Sequence, residues 1–473
     1  MKKISFWQQL CYIQIFNENA KKMHIDLTSR YTNCILLVKG GGDVLLNSFK
    51  VSGFKVFGKP VELNMVPKTK NYQTLDENVI VSLSKKNLKS ALLYGGNNTG
   101  KSSLLDAFLV FKKLISTGNL DDFPFDLYKN FCYFEDDVIF EISFLHNHDD
   151  ITYGVEFNES KDLGEYVFIG EELIFSRERD HSIEGKLIDS NLKIKERIED
   201  LPLDKLVLSY MNEYVSNPGT DVFMNVKKFF DQIEYINDSN KNMIMSKEIM
   251  EFSTNNTKMR ILNHLIESTE LFIDKRELAE EGYVVENEYY NKHIPKDAFA
   301  RIKTMKSQSE GLRMVSYYQN ELGESVAKPS ILFDSIGTNK FIVLSMSIIN
   351  AILNNKILLI DEIDSSLHYK LTRALVILMN SDVNHQSQFI MSTHDVKLLS
   401  PKLFRKDQVN FVIRNKEAVS IVSLDDFKAN SLKDIRSDSN FEKMYVEERI
   451  VDLPDTNISN VIKEMRALWE KKT

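Results

Sequence analysis

Cysteine is almost missing from this chain. The 473 residues hold three, Cys11, Cys34 and Cys132, far apart and with no C-x-x-C pair. That excludes a disulfide framework and a cysteine zinc site, and it suits a reducing cytoplasm. An excess of basic charge is missing too: 60 Lys and Arg stand against 68 Asp and Glu, a net charge of -8. A generally basic nucleic-acid binder is thereby disfavoured, although a local basic groove would not show in the sum. No apolar run is long enough for a bilayer. The most apolar stretch, Phe341 to Leu353, is short and carries Ser345, Ser347 and Asn350, which predicts a buried helix and no membrane partner. Lys2 and Lys3 precede only a broken apolar run containing Gln8 and Gln9, unlike a secretory signal. Sustained heptads, internal repeats and low-complexity tracts are also lacking, so a long coiled-coil arm is not expected.

What is present is a soluble globular composition, 43% hydrophobic and 27% charged, on a chain long enough for two or three lobes. Its most informative stretch is Gly95, Gly96, Asn97, Asn98, Thr99, Gly100, Lys101 and Ser102, followed by Ser103. This satisfies G-x-x-x-x-G-K-[ST]. Ala91 to Tyr94 before it reads as a buried strand. Ser103 to Ile115 after it has helical spacing, with Leu104, Leu105, Phe108 and Leu109 on one face and Gly118 as a stop. A glycine-rich turn between strand and helix lets backbone N–H groups approach a polyphosphate, and the helix N-terminus adds partial positive charge. Lys101 would reach the β- and γ-phosphates and Ser102 would ligate Mg²⁺. The plainer alternative, a Gly/Asn turn that merely caps a core helix, does not need this order of strand, loop, lysine and serine.

A second constellation lies far downstream. Ile357 to Ile360 is four aliphatics running into Asp361 and Glu362, the shape of a central parallel strand that delivers acids to a ligand. Asp361 would hold Mg²⁺ and Glu362 would orient or deprotonate the attacking water. Another strand, Ser387 to Ser392, ends at Thr393-His394-Asp395, where a histidine can hydrogen-bond a γ-phosphate or simply be solvated.

Between and around these motifs the chain divides by pattern. Residues 1–43 form an N-terminal extension. Its end, Lys39-Gly40-Gly41-Gly42-Asp43 before Val44, has the coding character of a ribosome-binding site, so native translation from Val44 and a genuine N-terminal arm are both open. Residues 44–180 are a first ATPase lobe, opened by strand-like runs at Leu46–Val51, Phe54–Gly58 and Val61–Leu63, where a Gly-Lys-Pro turn suggests a hairpin, and continued by strands at Val138–Leu145, Tyr153–Phe157 and Tyr166–Phe175. Residues 181–282 are expected to be a helical insert, 283–400 a second lobe with the acids and histidine, and 401–473 a hairpin and helical tail. The expected fold class is α/β, a P-loop ATPase head of mixed sheet with an antiparallel flank and an inserted helical subdomain.

The set G-x-N-x-x-G-K-S, S-x-G-T at Ser335 to Thr338, I-D-E-I-D-x-S-L-H and S-T-H-D resembles the ATPase head of the ABC and SMC-like superfamily. More narrowly it is similar to abortive-infection ATPases of bacterial anti-phage defence, the AbiL/RloA-like proteins and the AriA component of PARIS systems, over about residues 45–454. The resemblance implies that Ser335 and Gly337 touch the γ-phosphate bound to an opposing copy. It makes Asp364 the loop residue between two sites and His394 a switch histidine, with Glu362, Lys101 and His394 carrying catalysis. ATP with Mg²⁺ would be sandwiched between two heads, in a homodimer or higher oligomer.

The signature departs from the family at Asp334, where leucine is usual, and at Ile336, where a small residue is usual. No glutamine among Gln232, Gln308 and Gln319 fits the metal-sensing place. The implied function is a cytoplasmic ATPase that restrains a separately encoded effector, such as a Toprim or other nuclease, until a phage protein triggers release. A fused nuclease is disfavoured because too little chain follows His394. The alternative is a DNA-repair or DNA-end-binding ATPase of SMC or RecF-like kind; a transporter's ATPase subunit fits less well.

Overall fold

The computed structural model describes residues 44–68, 75–82, 85–120, 123–129, 137–190, 192–214, 220–269, 271, 273, 275–280, 312–416, 418–427, 440–447 and 458–470. All of them belong to one compact unit, Gly42–Thr473. The N-terminal extension, the three cysteines, the strand expected at Tyr283–Val285 and residues 428–439 and 448–457 of the C-terminal block lie outside the described residues.

In chain order, β1 (Val44–Ser52) and β2 (Val61–Asn64) form the opening antiparallel pair, while the run expected as a strand at Phe54–Gly58 is a turn closed by an isolated bridge between Phe54 and Phe57, and β3 (Val79–Val81) pairs with β4 (Lys86–Leu88). β5 (Ser90–Tyr94) leads through the glycine-rich loop into α1 (Lys101–Thr117), which Gly118 ends in the left-handed conformation. Then come β6 (Val138–His146), β7 (Asp149–Phe157), β8 (Leu163–Ile169), β9 (Glu172–Arg177) and β10 (Ile183–Glu184). Helices α2 (Val207–Tyr214) and α3 (Asp221–Asp231) precede β11 (Ile233–Ile236), and α4 (Lys241–Ser253) and α5 (Asn256–Glu267) precede β12 (Lys275–Glu280). β13 (Leu312–Gln319), β14 (Ser325–Pro329), α6 (Ile336–Asn354), β15 (Ile357–Ile360), α7 (Tyr369–Asn380), β16 (Gln388–Thr393), β17 (Val409–Arg414), β18 (Val419–Ser423), α8 (Phe441–Val446) and α9 (Ser459–Glu470) follow.

Two large sheets result. The antiparallel one runs β10-β9-β8-β7-β6-β1-β2, and the other runs β11-β15-β16-β5-β17-β18, parallel except at β18. Alternation along the parallel strands sends side chains to two different cores. Leu93, Ile357, Leu359 and Ile390 face one shared with α1 and the antiparallel sheet; Leu92, Leu358, Ile360, Phe389 and Met391 face one shared with α6 and α7. Helix α1 lies between the sheets, with Phe108 against Phe49 at 3.8 Å between ring centres and Phe111 stacked on Phe140 and Tyr153. Helix α6 is the buried apolar helix expected at 341–353. It is long and apolar enough to cross a membrane by length and composition, yet 67% of it is covered within the fold.

The stretch expected as a helical insert, 181–282, also holds three strands, β10, β11 and β12. Of these, β11 pairs in parallel with β15 and is an edge strand of the parallel sheet. Four residues flanked by strongly helical segments carry too little periodicity to reveal a strand; only the neighbour β15 selects it.

A buried amide joins the two sheets. β1 slips register against β6 between Leu46, which pairs with Phe144, and Ser48, which pairs with Ser143. Gln388, fully buried at the start of β16, accepts from Leu46 N at 2.6 Å through Oε1 and donates through Nε2 to Leu46 O at 3.1 Å and Leu88 O at 3.2 Å. Replacing it with leucine keeps the volume and leaves the Leu46 N–H unpaired in a dry place. Gln388→Leu is expected to cost about 1–3 kcal/mol, or more if the vacated carbonyls also go unpaired; urea unfolding followed by circular dichroism measures the shift.

Candidate functional site

The C-terminal ends of β15, β16 and β5 meet at one edge of the parallel sheet. Ile360 pairs with Met391 and Met391 with Leu92, so the segments that follow these strands emerge together. They are the acids after β15, the Thr393-His394-Asp395 turn after β16 and the glycine-rich loop after β5.

The loop is shaped by close backbone approach. A Cβ at Gly95 would stand 2.5 Å from the Val412 carbonyl oxygen and 2.9 Å from Thr99 Oγ1, and Gly100 adopts a φ of +120° against Val56 and Phe57. Asn98 is left-handed at φ +60°, which asparagine tolerates. Its carbonyl accepts from Arg414 Nη1 at 3.0 Å, so β17 braces the loop from the side. Lys101 is buried, with Nζ donating to the Gly95 and Gly96 carbonyls at 2.9 Å each. Burial lowers its pKa, while Asp361, Glu362 and Asp364 pull the other way, which shows that all three carboxylates lie within electrostatic reach of the ammonium. Ser102 is exposed in the first turn of α1 and Ser103 half-buried.

Ser392, the last-but-one residue of β16, organises the acids. Its hydroxyl donates to Asp361 Oδ1 at 2.5 Å and accepts from Glu362 N at 2.8 Å. Glu362 is left-handed, at φ +50°, and exposed. Asp364 turns back on its own chain: Oδ1 accepts from Thr393 Oγ1 at 2.7 Å, and both oxygens stand 3.3 Å from His394 N. The His394 carbonyl accepts from Tyr94 Oη at 2.8 Å. The His394 ring remains exposed, and its pKa is nonetheless lowered. Partial loss of water around it is the first cause and the Lys101 ammonium the second, against the opposite pull of Asp364, Glu362 and Asp361.

The S-x-G-T segment sits beside these groups in the same chain. Ser335 is the N-cap of α6, with Oγ accepting from Thr338 N at 3.0 Å, and its residue is exposed. Gly337 has a packing duty: a Cβ there would come within 2.3 Å of the Ser366 carbonyl oxygen, in the loop that carries Asp364. The unusual Asp334 is explained by its surroundings. It is buried and accepts from Arg276 of β12, from Ser316 Oγ at 2.9 Å and from Tyr318 Oη, both of β13. Ile336, the other departure, is exposed.

The donors present suit a hard dication: the Ser102 hydroxyl and the Asp361 carboxylate are oxygen ligands. Among the described residues no group of three or more His, Cys, Asp or Glu forms a metal cage. Mg²⁺ fits such a setting, since it is commonly held by one or two carboxylates, water and substrate phosphates.

Of the sequence-derived residues, the loop, Asp361, Glu362, Asp364 and His394 come together within this chain, while Ser335 and Gly337 stand on the adjoining helix. Gln232 lies at the opposite end of β11, where its carbonyl accepts from Ile357 N, so it is remote from the acids. Asn237-Asp238 occupies the near end. Sequence reading missed Ser392, Arg414, Lys340 and Asp238. Ser392 had a signal, its place in S-T-H-D; the others had none.

The chain is similar to the SMC head domain from Thermotoga maritima (15% identity, 80% of this chain and 98% of that one, TM-score 0.39). It is also similar to an Smc head bound to the C-terminal winged-helix domain of ScpA (12%, 80% and 98%, TM-score 0.40). A third likeness is to an Smc head with an extended coiled coil bound to the C-terminal domain of ScpA derived from Pyrococcus furiosus (12%, 80% and 96%, TM-score 0.41). No curated protein sequence matches. The family model described as "AAA domain, putative AbiEii toxin, Type IV TA system" matches residues 90–400, from the first residue of β5 past the histidine turn. The chain belongs to that AAA-domain family.

Proposed function

We propose that this chain hydrolyses ATP with Mg²⁺ at a site completed by a second copy, and that the cycle controls a separately encoded effector in anti-phage defence. The observation that carries the hydrolytic part is the convergence of Lys101, Asp361, Glu362 and His394 on one sheet edge, with Ser392 fixing both acids. The loop N–H groups and Lys101 bind the phosphates, Ser102 and Asp361 hold the metal, and Glu362 accepts the proton of the attacking water. The metal supplies charge neutralisation on the phosphate oxygens.

Two features support the second copy. Ser335 is exposed at a helix N-terminus, a polar cap suited to a phosphate, and the large apolar side chains beside it, Phe333 and Ile336, are also exposed. Effector control rests on the resemblance to abortive-infection ATPases and on the toxin–antitoxin description of the family. A nuclease, released when a phage protein is sensed, is the effector class this reading favours. DNA binding stimulated by ATP, the repair alternative, is the contrary outcome of a pull-down of the native complex.

Glu362→Gln is expected to lower the hydrolysis rate about 100-fold or more while ATP stays bound, and to raise the oligomeric mass in ATP by light scattering. A variant that turns over ATP at the wild-type rate would remove Glu362 from the mechanism. The shared site has its own test. Ser335→Arg and Lys101→Ala proteins should each be inactive, and their mixture should regain part of the activity, because one of the two composite sites is then intact; an inactive mixture argues for a site within one copy.

His394 gives a pH prediction. Its folded pKa lies below the ordinary 6.5, so the neutral ring prevails above that value and is lost as the pH falls through the folded one. The hydrolysis rate should fall on that acid limb below about pH 6.5, and His394→Gln should flatten the limb in a pH–rate profile.

A further inference from the structure

Lys340 stands out as the one charged residue of α6. It lies just over one turn beyond Ser335 on α6, it is 6% exposed, and nothing in the phosphate chemistry described above uses it. Its ammonium donates to the Glu362 carbonyl at 2.8 Å and pairs with Asp238 at 3.5 Å. Asp238, just past the end of β11, in turn accepts from Ser365 Oγ at 2.9 Å. Three separate segments therefore meet on one buried ammonium: the end of β11, the start of the signature helix and the acidic turn after β15.

The target of that ammonium is unusual. Glu362 is a non-glycine residue at φ +50°, a conformation that persists only where its surroundings impose it. Both of its backbone polar groups are clamped, the N–H by Ser392 Oγ at 2.8 Å and the carbonyl by Ser365 N at 3.0 Å within the turn and by Lys340 from the signature helix. Among the described residues none donates a hydrogen bond to its carboxylate, so the bonds that hold this residue act on its backbone.

We infer that Lys340 is a positioning residue for Glu362, holding the left-handed turn that aims the carboxylate and tying that turn to the signature helix of the same chain. This rests on the ATPase reading. It adds a mechanical consequence: a second copy's nucleotide, on engaging Ser335, acts on α6 and through Lys340 on the acid of the neighbouring site.

The test compares wild type, Lys340→Met, Lys340→Arg and Asp238→Asn by steady-state ATP hydrolysis, with circular dichroism and thermal unfolding as controls of folding. Lys340→Met keeps length and removes charge. It is expected to lower kcat tenfold or more, as small misplacements of reacting groups do, with KM for ATP within about twofold. Lys340→Arg should recover part of kcat, and Asp238→Asn should show a smaller fall of the same kind. A folded Lys340→Met protein with wild-type kcat overturns the inference and leaves the ATPase reading standing, as does a change confined to KM. If Lys340→Met does not fold, Asp238→Asn decides, and an unchanged kcat in that folded variant overturns the inference. Absence of hydrolysis by the wild type would instead remove the ATPase reading and this inference with it.

Discussion

Parallel pairing of β15, β16 and β5 is the constraint on which the rest of the molecule depends. Parallel strands cannot be joined by tight turns, so each returns through a long crossover, and all their C-terminal ends fall on one side. That geometry brings Asp361, the His394 turn and the loop before Lys101 to one place, although Lys101 and Asp361 are 260 positions apart by their numbers. Ser392 then converts proximity into orientation. One hydroxyl fixes a carboxylate and the next residue's backbone together. A hydrogen bond to an ionised group is roughly twice as strong as a neutral one, which suits it to that task.

The remaining architecture keeps this edge rigid by satisfying buried polar groups at the joints. Gln388 bonds the Leu46 backbone at the register slip of β1, and Glu165 accepts from Val207 N at 2.6 Å and Leu208 N at 2.9 Å, seating the start of α2 on the antiparallel sheet. Arg405 and Asp407 form a buried bidentate pair at 3.0 and 2.9 Å just before β17. Each such group would be costly if left alone and specifies one docking when paired. The Arg276–Asp334 pair follows the same rule, because it roots the residue before Ser335 in the small sheet formed by β12, β13 and β14.

Against this rigidity, the groups proposed to meet a nucleotide are exposed: Ser102, Glu362, His394 and Ser335. Glu362 also carries backbone strain of about 1–3 kcal/mol, which its clamps must offset. On the proposed function, support drawn from Ser392 and Lys340 divides the site into groups that would do chemistry and groups that hold them.

Sequence alone determined the local units. The order strand, glycine-rich loop, lysine and helix at 90–117 was legible because each part has its own short-range signature, and so were the aliphatic run ending in Asp361 and Glu362 and the apolar helix α6. The antiparallel flank was legible from its alternation, with Tyr166–Phe175 resolving into β8 and β9 at Gly170. Tertiary structure alone decided that Ile233–Ile236 is a strand, that Asp334 is tolerated where leucine is usual, and that Gly337 is required by the Ser366 carbonyl. It also selected Lys340 and Asp238 from many lysines and aspartates of the same appearance. The reason is the range of the forces involved. Periodicity, caps and turns are written within a few residues, whereas a buried cation is defined by partners more than twenty and a hundred positions away, and only the packed sheet brings them within hydrogen-bonding distance.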